Sequence, residues 1–106
     1  MIFEVHLSAT AQGDLDGIFD YIAITLAAPK AAVDWMDKVL KSFNCLAEFP
    51  EMYAQCQEEP WLLRNVRIMP VDNYKFFYHV NYDAKKIVVL RVLSFRQDSS
   101  LNNVAL

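Results

Sequence analysis

The sequence predicts a single α+β domain with the element order β-α-α-β-β-β, a helical hairpin packed on a small twisted antiparallel sheet. Three observations carry that expectation. Apolar residues recur at steps of three and four through the first half and alternate with period two through much of the second. The last three strand candidates are joined by only two or three turn-forming residues, Asp72-Asn73 and Asp83-Ala84-Lys85, as in an antiparallel meander. The first half is acidic and the second basic.

Residues 2–7 alternate as a short strand. Ser8 stands where a helix N-cap belongs, and Asp14 and Asp16 follow early in the helix, where negative charge suits the macrodipole. Ala11, Leu15, Ile18, Ile22 and Leu26 then trace one apolar helix face. Ala27-Ala28-Pro29 interrupts it, and Pro29 suits the first turn of a second helix. There Ala32, Met36, Leu40, Phe43 and Ala47 repeat the spacing, widened by Val33, Val39 and Leu46, until Phe49-Pro50 ends it. So short a turn makes the two helices antiparallel neighbours.

Residues 50–61 have no periodicity and read as a loop. Three strands are expected after it, over 62–71, 74–82 and 86–95. Pro70 marks the first as an edge strand or a strand end. In the second, Tyr74, Phe76, Tyr78, Val80 and Tyr82 share one face, and Lys75, Phe77, His79 and Asn81 share the other. The third is apolar on both faces, as a central strand would be. One domain is expected over residues 1–98, followed by a polar tail over 99–106. The helices cover one face of the sheet. The other, carrying Lys75, Phe77 and His79 and some of Arg91, Leu93 and Phe95, is expected to stand open, as a partner site would.

Composition narrows the class. The chain has 106 residues, 55% of them hydrophobic and only two glycine, which excludes disorder and collagen-like repeats. No apolar run approaches the roughly 20 residues that span a bilayer, and the N-terminus lacks the basic region of a signal peptide. Cys45 and Cys56 form neither a disulfide framework nor a C-x-x-C motif, so a reducing cytoplasm is expected. Cys45 falls within the second helix pattern and reads as a small buried hydrophobe. Two histidines without a neighbouring cysteine make a metal site improbable, and no cofactor is expected.

The net charge of −3 conceals a division. Residues 1–61 carry three lysines against ten carboxylates, a net of −7. Residues 62–106 carry seven Lys/Arg against three aspartates, a net of +4. Solvated helix faces explain the acidic half, with Asp14, Asp16 and Asp20 as its outer surface. The basic half calls for a partner.

The segment from Val66-Arg67-Ile68 through Tyr74-Lys75-Phe76-Phe77-Tyr78-His79-Val80, followed by Leu90-Arg91-Val92-Leu93-Ser94-Phe95-Arg96-Gln97-Asp98, resembles the sheet of the RelE/ParE toxins. An arginine-bearing strand leads there into a Y-x-x-x-Y-x-V strand and an R-V-L-x-x-R-x-D ending. The helix pattern Ala11-x-x-Asp14-Leu15-x-x-Ile18-x-x-Tyr21-Ile22 and the ending Leu46-x-x-Phe49-Pro50 are similar too, so the resemblance spans residues 3–98. It implies the toxin of a type II toxin–antitoxin pair, neutralised by a small cognate antitoxin. RelE-like members cut messenger RNA on the ribosome; ParE-like members poison DNA gyrase and stabilise plasmids without cutting RNA.

Cleavage by 2′-OH attack needs a base, an acid and cations for the developing phosphorane charge. The candidate nuclease set is Arg64, Arg67, Lys75, His79 and Arg96. Against it, the tail after Arg96 offers neither His nor Tyr, and His79 lies about 13 Å from Lys75 along a strand. A pI near 5.2 also disfavours general RNA binding. The ParE-like reading asks only for a protein-binding surface. Its expected contacts to antitoxin or target are Arg64, Arg67, Lys75, Phe77, His79, Arg91 and Arg96. A non-toxic interaction domain is the third reading. Trp35 and Trp61 are expected to pack rather than bind a ligand.

Overall fold

The structure is a computed structural model that describes residues 2–95. Strand β1 (Glu4–Leu7) is followed by helix α1 (Ala9–Asp20), which passes directly into a π-helical turn (Tyr21–Thr25). Helix α2 (Pro29–Glu48) and a 3₁₀ turn (Leu62–Arg64) come next. Strands β2 (Arg67–Val71), β3 (Tyr74–Asn81) and β4 (Lys86–Ser94) complete the order. The two helices pack on a four-stranded sheet ordered β1-β4-β3-β2. Its last three strands form the expected antiparallel meander, but β1 lies parallel to β4, so the sheet is mixed. Connecting β1 to β4 through the helices allows that direction; a hairpin would not.

Ser8 caps α1 as expected, its hydroxyl accepting from the Ala11 amide at 3.0 Å. The same hydroxyl donates to the Leu90 carbonyl at 3.0 Å and so ties the helix start to β4. The periodicity extended this helix unbroken to Leu26. Instead the last five residues widen into a π turn, leaving Ile24 and Leu26 exposed. Pro29 opens α2 at its first turn. The buried stripe of α2 is Ala32, Trp35, Val39 and Leu46, whereas Val33 and Leu40, assigned to the stripe from spacing, face solvent. Trp35 takes the inward position and packs on Tyr74, with ring centroids 5.2 Å apart. Cys45 is exposed, which corrects the buried assignment; Cys56 is the buried thiol.

The strand expected over 62–71 begins only at Arg67, because Trp61 to Asn65 coil into a tight turn. Asn65 adopts the left-handed conformation, with φ of 55°, that asparagine tolerates. The faces of β3 alternate as read. Tyr74, Phe76, Tyr78 and Val80 join the core under the helices, and Phe77 joins a second cluster beyond the sheet. In β4, Phe77 pairs Arg91 while Tyr78 pairs Val89, so Leu90 is an extra residue at a bulge.

The far face is the main departure from expectation. It is not open: the segment between α2 and β2 folds back across it. Trp61 is wholly buried and stacks on Phe77, with ring centroids 4.7 Å apart at 26°. Cys56, Val66 and Leu93 close the cluster around them. A loop with no periodicity can still supply one large apolar anchor, and Trp61 is that anchor.

Candidate functional site

Three sets of cations and clefts follow from this layout. The first is locked. Arg91 and Asp14 form an ion pair with side chains 14% and 19% exposed. One carboxylate oxygen accepts from Arg91 Nε at 2.8 Å and from the Val92 amide at 3.0 Å; the other accepts from Nη2 at 3.4 Å. The cause is topological. Strand β1 ends at Leu7, which pairs with Val89, so the next stretch of β4 has no strand on that edge. Ser8 and Asp14 supply its missing partners from α1. Asp14 is therefore not part of a solvated helix face, and Arg91 is not a surface cation.

Arg67 is held likewise. Its Nη1 donates to the Tyr53 carbonyl at 2.6 Å, and Nη2 lies 3.9 Å from Glu51. Glu51 also accepts from the Tyr82 hydroxyl at 2.7 Å, and the Tyr78 hydroxyl donates to the Pro50 carbonyl at 2.8 Å. Residues 50–53 are thus fastened to the sheet by three side chains. Burial pushes the Tyr78 phenol up to about 12. The Tyr82 phenol is raised chiefly by its hydrogen bond to Glu51, and the Tyr74 phenol chiefly by burial.

The second set lies on the far face. Lys75 places its ammonium 5.7 Å from the Phe77 ring centroid and 5.5 Å from that of Phe95, within cation–π range. Further along, Arg64 and His79 line a recess of about 380 Å³ whose apolar walls are Val88 and Leu90. The third feature is a groove of about 720 Å³ between α1 and the sheet, lined among others by Gly13, Gly17, Tyr21, Tyr74 and Phe95. A Cβ on either glycine would meet nothing within 4 Å, so these residues leave the groove open rather than serving close packing.

Of the seven residues expected to meet a partner, then, Arg64, Lys75 and His79 present themselves on the far face. Phe77 lies on that face but is wholly buried beneath Trp61, which corrects its assignment as a contact residue. Arg67 and Arg91 are both held by internal partners. Arg96 lies outside the described residues. Sequence reasoning missed the Asp14–Arg91 pair and the Trp61 anchor. The first did leave a signal. Asp14 sits within the Ala11, Leu15, Ile18 stripe, a carboxylate three residues after a core position. Among the described residues, no group of three His, Cys, Asp or Glu is placed to hold a metal ion, and no helix is long and apolar enough to cross a membrane.

Two helices on a four-stranded mixed sheet form the architecture of the RelE/ParE toxin superfamily. Comparison with protein families narrows this: the model of the ParE toxin of type II toxin–antitoxin systems, parDE, matches residues 5–99, and the chain belongs to that family. The fold is similar to a chain of the chromosomal ParDE toxin–antitoxin system from P. aeruginosa, with a TM-score of 0.67 at 21% identity. That match covers 88% of this chain and 96% of the other. It is similar also to a chain of the toxin–antitoxin complex RelBE2 from Mycobacterium tuberculosis, with a TM-score of 0.61 at 18% identity, covering 89% and 99%. Comparison with curated proteins returns no match.

Proposed function

We propose that this toxin inhibits a protein target, DNA gyrase, in the cytoplasm, and that a cognate antitoxin holds it silent. Released, it arrests growth; carried on a plasmid, such a pair favours the plasmid's retention. One observation carries the choice of target class: the candidate nuclease residues are dispersed. Arg67 is spent on Tyr53 and Glu51, on the loop side of the sheet. His79 shares its recess with Arg64, Val88 and Leu90, none of which exchanges a proton at neutral pH. Cleavage through a 2′-OH needs two coordinated proton transfers, and one imidazole beside a guanidinium is half of that set. A surface of apolar groups and exposed cations suits a protein partner, and the match to the ParE model over residues 5–99 supports the same reading.

The test is a pair of assays on the purified chain. Gyrase supercoiling should be inhibited in proportion to added protein, while messenger RNA on translating ribosomes stays intact. Ribosome-dependent cleavage that Arg96→Ala abolishes, with gyrase unaffected, would establish the nuclease instead. Normal growth on expression without an antitoxin would point to a non-toxic interaction domain.

A further inference from the structure

The two edges of the sheet are finished differently. At the β2 edge the Ile68 amide donates outward to the Ala54 carbonyl at 3.2 Å, and Pro70, the next residue facing that way, has no amide to offer. The β1 edge lacks such cover. The Glu4 and Ser8 amides donate to the Lys85 and Val89 carbonyls, at 3.0 and 2.9 Å. In this ladder alternate residues face the neighbouring strand. Glu4, His6 and Ser8 therefore turn their backbone groups toward β4, and Val5 and Leu7 turn theirs outward. Among the described residues, the Val5 and Leu7 amides have no hydrogen-bond partner. The side chains alternate too. Val5 and Leu7 pack into the core under the helices, while Glu4 and His6 stand exposed on the other face, Glu4 Oε2 lying 3.0 Å from His6 Nε2.

We infer that the β1 edge binds a second copy of this chain, the two β1 strands pairing antiparallel about a two-fold axis at Val5. Charge complementarity selects this occupant and this register. With the axis at Val5, the Val5 residues of the two copies exchange both backbone hydrogen bonds, and Glu4 of each copy stands opposite His6 of the other. These flanking pairs are of the non-hydrogen-bonded kind, in which facing side chains come closest. A strand that reads acid, apolar, base is its own complement when reversed, as a two-fold interface requires. An imidazole and a carboxylate attract by a hydrogen bond and, once the ring is protonated, by charge. An axis at His6 would set imidazole against imidazole, and one at Leu7 would run Val5 into Ala9, where α1 has begun. The two-fold lies perpendicular to the sheet, so the helices of both copies share one side and the four-stranded sheet is doubled. Edges that stay unpaired are commonly blunted by proline or by charges of one sign; Glu4 and His6 instead attract their own reverse. With only four residues in β1, the association is weak. It rests on the edge alone and holds whichever target the toxin has.

Sedimentation equilibrium on the full chain tests this. The wild type should follow a monomer–dimer equilibrium in the micromolar-to-millimolar range, as a small interface gives. Glu4→Lys sets an ammonium against His6 of the other copy, and His6→Glu sets carboxylate against carboxylate. Each change acts twice across the two-fold and should weaken dimerisation about tenfold. Mixed in equal amounts, the two variants should dimerise again, because every opposed pair in the mixed dimer then unites a base with an acid. A merely local role for Glu4 and His6 produces no such rescue. Both positions are exposed, and unchanged far-ultraviolet dichroism confirms that the variants fold. A measurement on the wild type needs no variant: deuterium exchange at the Val5 amide should slow as protein concentration rises, since dimerisation closes that amide. A chain that stays monomeric to the millimolar range overturns the inference and leaves the edge open to a strand of a different protein. A dimer that both variants form as well as the wild type, a mixture that fails to associate, or Val5 exchange indifferent to concentration overturns it as well.

Discussion

Replacing Asp14 by alanine should be among the most damaging single changes outside the aromatic core. The carboxylate accepts from both Arg91 and the Val92 amide, at 2.8 and 3.0 Å, in a setting where its side chain is 19% exposed. Its loss takes the carboxylate away from a guanidinium that is 14% exposed and orphans the Val92 amide. Breaking a buried pair by removing one partner costs about 3–5 kcal/mol. Residual solvent access favours the lower end, about 3 kcal/mol. At this chain length that corresponds to a fall in Tm of about 12 °C. The companion variant is Asp14→Ala with Arg91→Met, which deletes both charges of the pair and leaves the Val92 amide unmet, at about 1 kcal/mol. Urea denaturation of both, with the Arg91→Met single variant, closes a double-mutant cycle. The double variant should be more stable than Asp14→Ala alone, by about 2 kcal/mol. A cost below about 1 kcal/mol for Asp14→Ala, or strict additivity in the cycle, would refute the assignment of Asp14 as the substitute for a missing strand partner.

Trp61→Ala should destabilise by about 3–5 kcal/mol, because it removes a wholly buried indole stacked at 4.7 Å on Phe77; chemical denaturation measures it. The Tyr78 phenol, raised to about 12, predicts alkaline sensitivity. Since the folded value lies above the unfolded 10, the folded state resists ionisation. The stability this contributes is full below pH 10 and is lost as pH rises through 12, by about 2–3 kcal/mol in all. Tyr78→Phe should lose stability at pH 8, through the unmet Pro50 carbonyl, yet fall less steeply between pH 10 and 12. Finally, a thiol reagent should label one cysteine of the native protein, Cys45, and reach Cys56 only on unfolding; peptide mapping identifies which.

The element order was legible because the signals behind it are local. A serine before an apolar stripe, a proline at a first turn and strict alternation over Tyr74–Asn81 each depend on neighbours a few residues away. What escaped depends on distant neighbours. The parallel direction of β1 follows from its pairing with β4, which no pattern within residues 2–7 encodes. The stripe of α2 shifted because Trp35, with the largest apolar surface, claimed the inward position ahead of Leu40. The site suffered most. A cation looks the same in sequence whether it meets solvent, as Arg64 does on its turn, or a backbone carbonyl, as Arg67 does on its strand.

That distinction redefines the charge asymmetry between the two halves of the chain. Of the seven cations in the basic half, Arg91 is cancelled by Asp14 of the acidic half, and Arg67 is drawn to Tyr53 and Glu51. Part of the asymmetry is therefore internal, an attraction between helices and sheet that helps hold one layer against the other. Of the cations that remain, Arg64 and Lys75 lie on the far face beside aromatic and aliphatic side chains rather than in a continuous basic track. A nuclease would need such cations to converge on a single phosphate. Spread along a face already capped by Trp61, they accord better with the proposed protein partner, whose approach such charges would steer and orient.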